Sequence, residues 1–248
     1  EGWCFLINGL SFLMVIASLL AIHRPAFIAP PKLDSLLAEV SQGLRYAVGT
    51  RSIRSILALV GLMSLLGMPY TVLLPIFANR ILQGGPQHLG ALMSAAGFGA
   101  LAAALVLASH KNLDGIERRI TLAIIGFGLF LVLFAFSKLF WLSLLLLTLV
   151  GYSQMTQMAS SNTLIQSMVP DAYRGRIMAL YSMMFLGMAP FGALMAGILA
   201  DAFGAPTAVA IGGTACILGG QVFLILLPKL RPEITRLIAE GDNSHSSA

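Results

Sequence analysis

Seven apolar stretches divide this chain, and none has an Asp, Glu, Lys or Arg well inside it. They run near Trp3–Ile22, Ile56–Phe77, Leu89–Ser109, Ile120–Phe136, Phe140–Ile165, Met178–Leu199 and Ala205–Leu227. A helix of about 20 residues, rising about 1.5 Å per residue, crosses a hydrocarbon core of about 30 Å. Lipid offers no partner to backbone N–H and C=O groups, so a crossing segment must satisfy them internally as a helix. The fourth and fifth stretches are separated only by a short turn at Lys138, and joined they would make a helix of about 45 residues, far too long for one crossing. Only 10% of the residues are charged and 58% are hydrophobic, with a mean hydropathy of +0.89. A soluble domain needs roughly 25% charged residues to wet its surface. The expectation is an all-α membrane protein.

Lysine and arginine resist translocation and so report topology. Arg24, Lys32, Arg45, Arg51 and Arg54 follow the first span; Lys111, Arg118 and Arg119 follow the third. Arg174 and Arg176 follow the fifth, and Lys229, Arg231 and Arg236 follow the seventh. The loops of opposite parity hold only Arg80 and Lys138. This alternation supports the span count and places the basic loops and the C-terminus in the cytoplasm. It also explains the net charge of +5 as topology, so no nucleic-acid partner is expected. Cys4 and Cys216 lie far apart in apolar runs, and the four histidines form no H-x-x-x-H pair, so neither a disulfide framework nor a metal site is read. The start E-G-W-C-F lacks a basic n-region, which is unlike a signal peptide and suggests a piece of a longer protein.

Within the longest loop, Leu33, Leu36, Leu37, Val40, Leu44, Ala47 and Val48 recur at helical spacing. Asp34 or Ser35 can cap the start, and Glu39, Gln42 and Arg45 occupy the wetter side. An amphipathic helix on the cytoplasmic surface is expected there. The closing G-D-N-S-H-S-S-A is polar and expected to be disordered.

The fifth span differs from the rest in polarity. At about 100° per residue, Gln154, Gln157 and Ser161 share one line, flanked by Ser153, Thr156, Ser160 and Thr163. An amide facing lipid unpaired costs several kcal/mol, on the order of 2–7, so this side must face protein or water. Two readings stand: the column lines a wet cavity, or it bonds neighbouring helices as packing glue. Spans four and seven are apolar around the circumference and are expected to face lipid. Gly97 and Gly99 in span three, and Gly187, Gly192 and Ala196 in span six, permit close helix approach. Pro69, Pro75 and Pro190 interrupt spans two and six. No G-x-S-x-G, paired aspartates or metal-spaced histidines occur in the spans, so no enzyme, catalytic residue, cofactor or metal is expected.

The run L-I-Q-S-M-V-P-D-A-Y-R-G-R-I-M-A-L-Y, Leu164 to Tyr181, precedes G-x-x-P-x-G-A-L-x-A-G-x-L-A-D. Together they resemble the C-terminal half of major facilitator superfamily transporters, in the branch of bacterial macrolide-efflux and enterobactin-export proteins. L-L-P-I-F-A-N-R-I-L-Q-G-G-P-Q-H-L-G-A-L-M-S-A-A-G-F-G-A and Q-G-L-R-Y-A-V-G-T-R-S-I-R-S-I-L agree with it. The resemblance implies a six-helix C-terminal bundle at 55–228, preceded by the sixth transmembrane helix at 1–22 and a cytoplasmic linker at 23–54. A cytoplasmic tail follows at 229–248. It implies a substrate cavity bordered by Gln154, Gln157, Ser161 and Met158 of span five and by Tyr70 and Ser64 of span two. It also implies a cytoplasmic gate containing Asp171, Arg174 and Arg176. The activity implied is alternating-access export of small amphipathic solutes across the bacterial inner membrane, coupled to protons. The partners would be that solute, lipid and the N-terminal half. This chain lacks the family's glycine–aspartate–arginine loop and any acid within a span, which puts the titrating group in the absent half. The alternative is a non-transporting membrane scaffold or receptor with the same fold.

Overall fold

A computed structural model describes the backbone of residues 2–21, 36–109 and 115–246, and side chains within 8–20, 41–109 and 115–240. Every described element is a helix. We number them α1 (Gly2–Ala21), α2 (Leu36–Gly49), α3 (Arg51–Ile81), α4 (Gly85–Ser109), α5 (Ile116–Phe136), α6 (Phe140–Met168), α7 (Asp171–Phe203) and α8 (Ala205–Ser246). Residues 1–39 and 40–248 form two compact units. In the first, α1 is a 20-residue apolar helix. Its Ser11 and Ser18 hydroxyls donate to the carbonyls of Asn8 and Val15 on the preceding turn, so neither is left unpaired in an apolar medium.

In the second unit, α3, α4, α5, α7 and α8 are each long and apolar enough to cross a membrane by length and composition. α6 has 29 residues, ample length, but its hydroxyl- and amide-rich second half sets it apart in composition. The breaks between helices follow local chemistry. Gly204 alone separates α7 from α8 with φ of 85°, a conformation that disfavours any residue with a Cβ. Pro170, which has no N–H to lose, precedes α7. The prolines inside the spans produce interruptions rather than ends. Met63–Gly67 and Met183–Gly187 are π-helical turns lying before Pro69 and Pro190. At the first of these the Met68 N–H reaches back five residues to the Met63 carbonyl, at 2.8 Å. A third π turn, Phe77–Ile81, follows Pro75.

The centre of this unit is a stack of close crossings. α6 lies against both α4 and α5, α5 against α8, and α3 against α7 and α8. In a membrane the drive to associate comes from van der Waals packing more than from burial of apolar surface, so small residues mark the contacts. A Cβ at Gly99 of α4 would strike the Thr148 carbonyl, and one at Gly151 of α6 would strike that of Ala96. Gly128 and Gly213 make the equivalent reciprocal contact between α5 and α8, while Gly192 brings α7 onto the α3 backbone at Leu65. Gly97 and Gly187, which also read as packing positions, do not serve close crossings: a Cβ at Gly97 meets nothing within 4 Å and one at Gly187 only its own helix's Met183. Phe77 and Phe134 stack at 4.7 Å in the core, with Phe127 and Phe223 also buried.

Two expectations require correction. Spans four and seven, apolar all round, are not simply lipid-facing: α5 is buried along one side against α6 and α8, whereas α4 and α7 are less buried than α3, α5 or α8. Protein interior and lipid are equally apolar, so an all-round greasy helix is compatible with either. The tail expected to be disordered from Gly241 is helical as far as Ser246.

At the end of the unit where α3 and α5 begin, α2 and the last turns of α8 form a second layer. Leu33, Asp34, Ser35 and Glu39 lie outside the residues described in full, but Gln42 and Arg45 are exposed as expected. Leu44 and Val48 are about half exposed, and the contact runs instead through Gly43, Tyr46 and Ala47. Tyr46 stacks on Tyr173 at 4.8 Å, and a Cβ at Gly43 would lie 3.0 Å from the Arg176 Cβ. From α8, the Glu233 carboxylate accepts both the Ser52 N–H at 2.9 Å and its hydroxyl at 2.6 Å. A carboxylate there satisfies an orphan donor and complements the positive end of α3. Arg231 pairs at 3.0 Å with Glu117, whose side chain is buried at the start of α5.

Candidate functional site

The polar half of α6 splits between two environments. Gln157 and Ser161 are wholly buried at 0% exposure, and the Gln157 amide donates to the Ser161 hydroxyl at 3.2 Å. Ser153, Thr156 and Ser160 are buried beside them. This face points to the centre of the bundle, because α6 is covered by α4 on one flank and α5 on the other. Its uncovered stripe follows Trp141, Leu145, Tyr152, Thr163 and Gln166. Near its end the Gln166 amide donates to the Asn162 side-chain carbonyl. The Gln157 Oε1 and Ser160 Oγ have no hydrogen-bond partner among the described residues. Buried atoms of this kind ordinarily pair with ordered water or a bound group.

Gln154 is half-buried one turn away and connects outward. Its amide Nε2 donates to the Met68 Sδ of α3 at 2.9 Å. The Ser64 hydroxyl, buried in the π turn of α3, donates at 2.5 Å to the Phe185 carbonyl in the π turn of α7. The Tyr181 hydroxyl of α7 donates at 3.0 Å to the Met158 carbonyl of α6. Three helices are therefore tied together near their mid-lengths, two of them where the α-helical ladder is already broken. A π turn leaves carbonyls free to accept from outside the helix, and such turns recur at functional positions. Tyr70 stands apart from this cluster. It is buried in the core with its ring edge-on to Phe127, 6.3 Å between centroids.

Ser64, Gln154, Met158, Gln157 and Ser161 thus fall in one region, with the last two behind the others. Sequence reasoning missed Met68, Tyr181 and Phe185. One signal could have found Met68 and Phe185: M-S-L-L-G-M-P in α3 and M-M-F-L-G-M-A-P in α7 are near repeats, and each carries a π turn just ahead of its proline. Chemically the cluster offers amide, thioether, hydroxyl and phenol groups. Such groups bind through hydrogen bonds and dispersion. Among the described residues no three metal-ligating side chains converge.

The residues read as a gate lie at the start of α7. Asp171 pairs with Arg174 at 2.6 Å within the first turn, where an acid also complements the helix dipole. Arg176 donates to the Gln42 side chain of α2 at 3.1 Å and lies 5.7 Å over the Tyr173 ring. The Tyr46 hydroxyl beside this contact is held above the usual tyrosine range, first by burial and next by the Glu240 carboxylate. The structure therefore ties Arg176 to α2.

Residues 1–239 match the family described as transmembrane secretion effectors. The chain is 29% identical to the staphyloferrin A transporter of Staphylococcus aureus over 165 residues, covering 66% of this chain and 41% of that protein. It is 32% identical to the multidrug efflux pump Tap of Mycolicibacterium fortuitum over 202 residues, covering 80% and 48%. The chain spans about half the length of the curated relatives it matches. No solved structure matches it.

Proposed function

This chain belongs to the transmembrane secretion effector family of the major facilitator superfamily, and from that premise we propose that it is the C-terminal part of a secondary-active exporter. The solute is a small amphipathic molecule of the drug or siderophore class, the setting is the bacterial inner membrane, and the C-terminus is cytoplasmic. Residues 1–22 close the N-terminal half, 23–54 link the halves, and 55–228 form the second bundle. The two relatives, a staphyloferrin A transporter and a multidrug efflux pump by name, support the solute class. The alternation of basic loops supports the orientation.

One observation carries the mechanism: interrupted α3 and α7 meet amide-bearing α6 at mid-length, through Gln154–Met68, Ser64–Phe185 and Tyr181–Met158. Broken helices around a midplane site suit a bundle that rocks against a partner bundle. Gln154 and Met158 border the solute path, methionine accommodating varied apolar shapes. Gln157 and Ser161 support that wall from within, and Ser64 fastens it to α7. Arg176 couples the α7 end to the linker through Gln42 and the Asp171–Arg174 pair fixes the first turn of α7, which is how closure on that side reaches the gate. Proton coupling, with no acid inside a span here, falls to the N-terminal half.

The test uses the full-length protein. Gln154→Leu should lower efflux of a transported dye or siderophore about tenfold, the equivalent of one hydrogen bond to the solute, at unchanged membrane abundance. Wild-type efflux from that variant removes Gln154 from the path. Unchanged solute accumulation after deletion of the whole gene sinks export and favours the scaffold reading.

A further inference from the structure

A cavity of about 650 Å³ opens between α4, α5 and α6, reaching Ser153 and Thr156 of α6 but not Gln154, Gln157 or Ser161. Its size lies in the range of small-molecule sites, but its shape and chemistry are those of a lipid. Val106 and Leu107 of α4 wall one side, with Leu122 and Phe130 of α5 along the floor and Tyr152 of α6 opposite. Gly126 keeps the floor open at mid-depth: a Cβ there would stand 3.3 Å from the Ser153 hydroxyl, tighter than ordinary van der Waals contact. Arg118 and Arg119 stand at the mouth, and among the described residues neither has a carboxylate partner. The adjacent Glu117 is turned inward onto Arg231 and does not neutralise them.

From Arg118 to Phe130 the groove descends about 18 Å along α5, at about 1.5 Å per residue. One leaflet of the hydrocarbon core is about 15 Å deep. A free phosphate would use only the mouth, whereas an acyl chain uses the whole length. Basic pockets between helices at the cytoplasmic surface select anionic headgroups, whose leaflet carries a negative potential. We propose that this groove holds one anionic phospholipid, its phosphate on Arg118 and Arg119 and an acyl chain along Leu122, Gly126 and Phe130. This inference does not depend on the export reading.

Full-length protein, equilibrated in mixed phosphatidylglycerol and phosphatidylcholine vesicles and released into native mass spectrometry, tests it. One phosphatidylglycerol should be retained in preference to phosphatidylcholine. Arg118→Gln with Arg119→Gln should cut that retention on the order of tenfold or more, while lysine at both positions, still a phosphate-binding point charge, should keep most of it. Gly126→Leu, which fills the floor, should remove the lipid although both arginines remain. If the glutamine pair fails to assemble, the lysine pair and Gly126→Leu decide. Equal retention of the two lipids, or undiminished phosphatidylglycerol in either the glutamine pair or Gly126→Leu, overturns the proposal. So does displacement by inorganic phosphate alone.

Discussion

Gln157 and Gln154 are three residues apart on α6, yet they face opposite demands. Gln157 is wholly buried and donates to Ser161, with its Oε1 unpaired among the described residues. Removing both partners of a buried hydrogen bond, one of them incompletely satisfied, is close to neutral or stabilising, whereas removing one orphans the other. Gln157→Leu combined with Ser161→Ala should therefore leave the thermal midpoint of the full-length protein unchanged or slightly raised. A fall of several degrees would mean that a group outside these residues completes the amide. Gln154, half-buried with its donor on Met68, should instead affect transport first, as set out above. The sequence placed both amides on one polar side of the helix and required that side to meet protein or water. It could not divide the column, because 60° of helical arc separates a bundle centre from a bundle edge, and that boundary belongs to the neighbouring helices.

The same division appears between Gly97 and Gly99, one crossing apart on α4. A Cβ at Gly99 collides with the α6 backbone, whereas Gly97 looks onto open space. Gly99→Ala should destabilise by about 1–3 kcal/mol through overpacking, read as lost detergent-resistant folded protein. Gly97→Ala should be neutral or gain up to about 1 kcal/mol of helix propensity. Equal effects of the two would contradict the α4–α6 crossing. Small residues were legible as packing signals, and the prolines as interruptions. The π turns were not, since a proline only demands that the ladder be rearranged and several rearrangements satisfy it. The helix α2 was legible from its spacing, although Leu44 and Val48, two residues of its apolar face on paper, are exposed. Docking through Gly43, Ala47 and Tyr46 prevails because a flat small surface admits the Tyr46–Tyr173 stack.

Across the molecule, the last turns of α8 return to the starts of α3 and α5 through Glu233 and Arg231. Truncation after Leu227 should lower the folded fraction in membranes, and Glu233→Gln alone should produce part of that loss. A charge-assisted hydrogen bond is worth about 1.5–3 kcal/mol, so a truncated protein with wild-type stability would show that this clasp is incidental. Nothing in the tail's composition announced it: K-L-R-P-E-I-T-R reads as a solvated cytoplasmic end. That the apolar stretches are helical was settled along the chain, because lipid forbids unpaired backbone whatever the neighbours are. Which side of each span is covered was settled only when the helices met. Polarity limits a residue to protein or water, but close packing against particular partners chooses between a buried seam, a solute path and a lipid groove.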